Sequence, residues 1–292
     1  MDNTQTFTQY RPLMFSIAYK MLGSVMEAED IVQDAFFRWR ESVGEDIRSP
    51  KSYLATIVTR LSIDRLRSAQ LQRESYIGPW LPEPLITEKG KGTAEIVSKA
   101  EHISMAFLVM LERLSPIERA VFLLREIFDY NYPEIAEIVG KSEANCRQIF
   151  RRAKQRVDSG QARFTMPPEK QQAIVQQFIH SVTTGDMPGL LHLLSNDISL
   201  HADGGGKVTA AKKPVLGRQK VATFMLNLGR LAPSNYSYQL KWVNGGFSLI
   251  NYVGRMPQSV FTFDLEGDQI RKIYAVVNPD KLKNVPPLPE SE

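Results

Sequence analysis

Apolar positions recur every three or four residues from Leu13 to Val157, and many alternate beyond Ile198, so the pattern predicts helices first and strands later. Leu13, Ile17 and Met21 mark one helix, and Gly23 ends it. In SVMEAEDIVQDAFFRWRES, Val32, Ala35, Phe36 and Trp39 form an inner stripe, while Glu27, Asp30 and Asp34 form a separate acidic one. Ser49-Pro50 joins an N-cap to a proline at the first helical position. Leu54, Ile57, Val58 and Leu61 then face inward, and Arg60, Asp64 and Arg67 share another face. The helical pattern breaks at YIGPWLPEPLITEKGKGT, whose prolines and glycines exclude a helix. It resumes from Ala100 through Ile103, Phe107, Met110 and Leu111, and Ser115-Pro116 opens a further capped helix.

The stretch from Tyr132 to Val157 reads as a helix-turn-helix. Its short helix, Pro133 to Val139, opens on proline, and Gly140 supplies the left-handed turn. Ser142 caps the second helix, with Glu143 in the first turn. Cys146, Phe150, Ala153 and Val157 form the expected buried stripe. Arg147, Gln148, Arg151, Arg152, Lys154 and Arg156 lie off it. A helix of this kind can enter a major groove, reading base edges with its first turns and holding phosphates with its cations. A helical hairpin with a solvated basic face is the alternative.

The C-terminal pattern is mixed. GQARFTMPPE is expected to be a linker. Helices are predicted over Glu169 to Thr183, Met187 to Leu194 and Gln219 to Leu231. Strands are predicted over Ile198 to Ala202, Tyr236 to Val243, Phe247 to Val253, Gln258 to Leu265 and Gln269 to Val277, with turns at Gly245-Gly246 and Gly267-Asp268. Helices followed by a curved antiparallel sheet make an α+β domain that can enclose a pocket.

The 292 residues suggest more than one domain. The pattern divides them into 1–75 and 100–160, both all-α, a 76–99 linker, a 161–168 linker, an α+β domain at 169–280 and a 281–292 tail. The net charge of +4 is small, but Lys141 to Arg156 holds six cations against Glu143 alone. The single cysteine, Cys146, excludes an internal disulfide and a multi-cysteine zinc site, and falls in the apolar stripe as a core residue. His102, His180, His192 and His201 show no metal-ligand spacing, so neither a metal nor a cofactor is expected. MDNTQTFTQY lacks a basic stretch before an apolar run, and nothing approaches the ~18 apolar residues of a membrane span. A soluble, cytoplasmic protein is expected.

In their order along the chain, three segments resemble the bacterial extracytoplasmic-function sigma factors. AEDIVQDAFFRWR resembles the segment that docks on the polymerase clamp, and SPKSYLATIVTRLSIDRLR the segment that melts and reads the −10 element. The stretch from Leu114 to Val157 resembles the module that reads the −35 element. WLPEP, DGGGK at Asp203 to Lys207 and NPDKL at Asn278 to Leu282 resemble the marks of a SigJ-like group whose C-terminus carries a SnoaL/NTF2-like cone. The resemblance implies sigma region 2, sigma region 4 and an α+β cone, with core RNA polymerase and promoter DNA as partners. It makes Asp30, Gln33 and Asp34 candidate polymerase contacts, and Arg60, Asp64 and Arg67 candidates for the −10 element. Glu143, Arg147, Gln148, Arg151 and Arg152 become candidates for the −35 element.

The resemblance further implies that the extra domain controls the sigma factor in cis, through contacts that include Trp80, Leu81, Pro82, Asp203, Lys207, Asn278, Pro279 and Asp280. The segment after Tyr274 is expected near Trp80, and Lys207 is expected to pair with Asp203. His201 and Asp203 alternate on one strand face, where SnoaL-like cyclases use such residues for proton transfer. Here a solvated face or a glycine turn is the preferred reading, because no second acid–base partner can be placed. A small-molecule ligand in the C-terminal pocket remains open, as do two other functions: a polymerase-independent DNA-binding regulator and a cyclase or hydrolase.

Overall fold

The computed structural model describes residues 3–42, 47, 49–73, 75–87, 104–158 and 166–290. Ala100, His102 and Ile103, the end of the first predicted linker and the GQARF part of the second lie outside the described residues. The chain divides into two compact units. One comprises the described residues of Met1–Ser75 and Phe107–Gln161; the other comprises those of Tyr76–Gly90, Ser104–Ala106 and Ala162–Glu292.

In the first unit, α1 (Asn3–Leu22), α2 (Val25–Glu41) and α3 (Pro50–Arg73) pack together. Gly23 at φ 68° stops α1, and the Ser24 hydroxyl accepts from the Glu27 N–H to cap α2. Ile31, Val32, Ala35 and Trp39 are buried, whereas Phe37 faces solvent. After α4 (Met105–Leu111) comes α5 (Pro116–Glu126), opened by a full capping box between Ser115 and Glu118. The turn pair follows as α6 (Tyr132–Val139) and α7 (Glu143–Asp158).

Its details differ slightly from expectation. Asn131, rather than the chain at Pro133, caps α6, its side chain accepting from Glu134 N–H in a second capping box. On α7 the buried stripe is Cys146, Ile149, Ala153 and Val157, while Phe150 is only half-buried, stacked beside Phe122. Arg119 of α5, 1% exposed on its side chain, donates to Met21 O of α1 and to Glu112, so one buried guanidinium ties the two helical segments of this unit together.

The second unit holds α8 (Pro168–Thr184), α9 (Met187–Leu193) and α10 (Arg218–Arg230) with β1 (Leu194–Asp203), β2 (Val215–Leu216), β3 (Tyr236–Val243), β4 (Gly246–Val253), β5 (Met256–Glu266) and β6 (Gln269–Val276). The strand order is β2-β1-β6-β5-β4-β3. The sheet is not wholly antiparallel: β1 runs parallel to β6. That pairing joins distant segments, and a two-residue turn cannot announce it. The β3–β4 turn uses Asn244 and Gly245, at φ 47° and 69°, one residue earlier than expected; Asn-Gly is the pair that accepts two left-handed residues in a tight hairpin. Phe178 and Val175 of α8, Val221 and Met225 of α10, and Leu249, Phe261 and Ile273 of the sheet form the core between helices and sheet.

Candidate nucleic-acid interface and the Asp203 anchor

The exposed faces of the first unit hold the predicted contact residues. Asp30, Gln33 and Asp34 are all exposed on α2, with Ala35 and Trp39 turned the other way into the core. On α3 the three predicted residues separate. Asp64 and Arg67 form an exposed pair 3.1 Å apart. Arg60 instead donates from Nε to Ile138 O at 2.9 Å and from Nη2 to Glu137 O at 2.8 Å, occupying last-turn carbonyls of α6.

Glu143, Arg147, Gln148, Arg151 and Arg152 are exposed on α7. The Ser142 hydroxyl accepts from Asn145 N–H and fixes the start of that helix. Arg147 lies 3.1 Å from Glu143 and sits 4.6 Å from the centre of the Tyr132 ring, so its guanidinium is oriented by an anion and an aromatic face. The six cations are not equivalent. Arg156 pairs with Glu118 and Lys154 with Glu126, ion pairs that tie α7 to α5. Burial pushes the Cys146 thiol up and keeps it in its neutral form, as suits a core residue.

In the second unit the other motifs converge on one buried carboxylate. Asp203, at the end of β1, has no exposure. It accepts from Tyr76 O–H at 2.5 Å, Leu81 N–H at 2.8 Å, Gly205 N–H at 3.1 Å and Lys281 Nζ at 2.7 Å. Lys281 also donates to Leu81 O at 2.5 Å and lies 4.0 Å from the centre of the Trp80 ring. It comes from a 3₁₀ turn, Pro279–Leu282, which the sequence pattern does not predict; Asn278 caps that turn and donates to the Tyr76 hydroxyl at 3.0 Å. Burial, and then Asp203 itself, raise the Tyr76 pKa, so the phenol keeps its proton and remains a donor.

The glycines make this approach possible. Gly205 has φ +59°, and a Cβ there would stand 2.2 Å from Asn278 Nδ2; Gly206 has φ +72°, and a Cβ there would stand 2.8 Å from Ile77 Cδ1. The WLPEP residues Leu81 to Pro84 are buried, and the strap from Tyr76 continues to Thr87, whose N–H donates to Trp242 O at 3.0 Å beside β3.

Two expectations are corrected. Lys207 does not pair with Asp203. The glycine turn brings it out to the surface, where it meets Asp280, and Lys281 takes the buried carboxylate. Asp203 does not stand on a solvated face or open into a cavity; four donors cover it. His201 is half-buried, stacked on Tyr274 and 3.1 Å from the Ser199 hydroxyl. Trp80 is half-buried and Pro82 buried, while Pro279 is exposed. Sequence reasoning missed Tyr76 and Lys281; the second lies inside NPDKL, so its motif held the signal.

Residues 6–72 match the family described as Sigma-70 region 2, and residues 104–157 match Sigma-70, region 4. The chain is 34% identical to the ECF RNA polymerase sigma factor SigJ of Mycobacterium tuberculosis, over 96% of this chain and 93% of that protein. It is 29% identical to the probable ECF RNA polymerase sigma factor SigI of the same species, over 94% of this chain and 92% of that protein. The crystal structure of M. tuberculosis SigJ superposes with a TM-score of 0.77 at 30% identity, covering 96% of this chain and 98% of that one.

The chain belongs to the ECF RNA polymerase sigma factors, with region 2 and region 4 helical segments and a C-terminal α+β unit. Its function is that of an RNA polymerase sigma factor, which binds core polymerase and promoter DNA. No helix among the described residues is long and apolar enough to cross a membrane.

Proposed function

We propose that this sigma factor docks on polymerase through Asp30, Gln33 and Asp34, reads the −10 element with Arg60, Asp64 and Arg67, and reads the −35 element with Glu143, Arg147, Gln148, Arg151 and Arg152. Promoter choice is then governed in cis by the C-terminal unit. The observation that carries the cis-acting role is the strap. In sequence it lies between the two sigma segments, but Tyr76 and Leu81 are hydrogen-bonded to Asp203 of the C-terminal unit. A tethered regulator acts at ~millimolar local concentration, so a weak contact is enough. The hydrogen bonds of Arg60 to Glu137 and Ile138 give a second support: an arginine holding α6 carbonyls is not free for DNA, so promoter reading requires that contact to open.

The C-terminal unit acts as a regulator and not as a cyclase. A carboxylate with four donors around it has no lone pair to spare for a substrate proton. The protein works in the cytoplasm, where polymerase and promoter are.

Run-off transcription with core polymerase tests this reading. The full chain is compared with Lys281→Met and Trp80→Ala, which loosen the strap without touching the sigma faces. A change in initiation of several-fold, with polymerase binding retained, is expected. Unchanged initiation by both variants would refute control through the strap. Failure of the parent chain to hold core polymerase in a pull-down would favour the polymerase-independent regulator.

A further inference from the structure

The layer between helices and sheet in the C-terminal unit is not filled at one end. A cavity of about 340 Å³ opens there, within the range that holds a small organic molecule. Its walls are mostly apolar, from Phe178 and Val182 on α8, Met225 on α10, and Leu249 and Phe261 on the sheet, with Thr183 and Gln258 as polar members. Gly229 closes the helix side, since a Cβ there would stand 2.9 Å from Val182 Cγ1. The mouth carries Leu228 at 42% exposure and Leu231 at 80%, two large apolar side chains left in water beside an apolar cavity.

One polar row crosses this lining. The Tyr236 hydroxyl donates to Asn251 Oδ1 at 2.7 Å, and Asn251 Nδ2 donates to the Ser259 hydroxyl at 2.8 Å. Asn251 and Ser259 are both buried, at 8% exposure each. The relay runs one way. Ser259 accepts, so its own hydrogen is available to donate, and no hydrogen bond from it is seen among the described residues. Burial first, and Tyr238 second, raise the Tyr236 pKa, so this end of the row stays a neutral phenol.

No Asp, Glu, Lys, Arg or His is among the residues lining the cavity. An ionised ligand would be desolvated there without a counter-charge, which disfavours its binding. General acid–base chemistry near neutral pH also has no side chain to perform it.

We propose that this cavity is a binding site for a neutral, lipophilic small molecule carrying one oxygen acceptor, a carbonyl or ether, which receives the Ser259 hydroxyl hydrogen. It binds such molecules and does not turn them over. The inference deepens the regulatory reading of the C-terminal unit and rests on that reading for its consequence in transcription, not for the binding.

The test uses the full-length chain and three naphthalenes of equal ring size, titrated calorimetrically: 2-acetylnaphthalene, 2-ethylnaphthalene and 2-naphthoate. Saturable one-to-one binding of the ketone is expected, with the carboxylate at least ten-fold weaker. Ser259→Ala should weaken the ketone by about three- to ten-fold, the loss of one hydrogen bond, and leave the ethyl compound unchanged. Leu231→Asp, at an exposed position where folding is not at stake, should weaken the ketone and ethyl probes alike. The proposal is overturned if the ketone does not saturate or if the carboxylate binds as well. It is equally overturned if neither substitution alters binding. Strap-dependent initiation is measured without any ligand, so a cavity that binds nothing leaves cis control standing.

Discussion

The Glu143–Arg147 pair on α7 and the Asp203–Lys281 pair in the C-terminal unit join the same kinds of charge, and their surroundings suit them to opposite uses. Glu143 and Arg147 keep 46% and 52% of their side-chain surface in water, whereas Asp203 and Lys281 keep 0% and 9%. An exposed pair contributes little to stability, so its members can leave each other for a phosphate or a base edge. A buried pair cannot separate without stranding a charge, so it fixes the chain segments that carry it. The proposed recognition face draws on the first kind of site, the Asp203 anchor on the second.

The largest expected effect comes from breaking the anchor. Asp203→Ala should cost about 3–5 kcal/mol in urea denaturation of the C-terminal unit, because the buried Lys281 loses the carboxylate that neutralises it. Removing both charges, as Asp203→Asn with Lys281→Met, should cost less than Asp203→Ala. A loss near that of an exposed pair would mean that the site is wet.

On the proposed recognition face, Arg147→Ala should weaken binding to −35 promoter DNA by about 1–3 kcal/mol while core-polymerase affinity holds. Equal loss of both affinities would assign the residue to folding. Gly205→Ala forces a side chain into a left-handed backbone against Asn278 and should destabilise the unit by about 1–3 kcal/mol, read by thermal melting.

A pH effect sharpens the contrast further. Burial, with Lys272 nearby, holds the His201 imidazole below its ordinary 6.5. The unfolded chain therefore takes up this proton first. The contribution of neutral His201 is complete above that ordinary value and is lost as pH falls through it toward the lower folded pKa. His201→Gln should flatten the stability profile across that window. The smallest effect belongs to Lys207→Ala, which removes an exposed pair with Asp280 worth about 0–1 kcal/mol that salt should erase.

Much of this was readable from the chain. Caps and stops are local chemistry: Ser115-Pro116, Gly140 and Ser142 mark their helix ends in sequence as they do in space. The exposed candidates on α2 and α7 follow from periodicity, since a residue off the apolar stripe faces water. Arg60 was less legible. Its spacing from Asp64 and Arg67 suggests one ladder, but its partners are carbonyls of α6, many residues away.

By itself, the sequence determined the helical segments, their order, the helix-turn-helix and the α+β character of the C-terminal part, because all of these rest on spacings within a few residues. Only the tertiary structure decided which charge neutralises Asp203, that β1 runs parallel to β6, and that an apolar cavity keeps a relay ending at Ser259. Lys207 and Lys281 carry the same charge and both lie in motifs. Burial chose between them, and burial depends on contacts made across the whole unit.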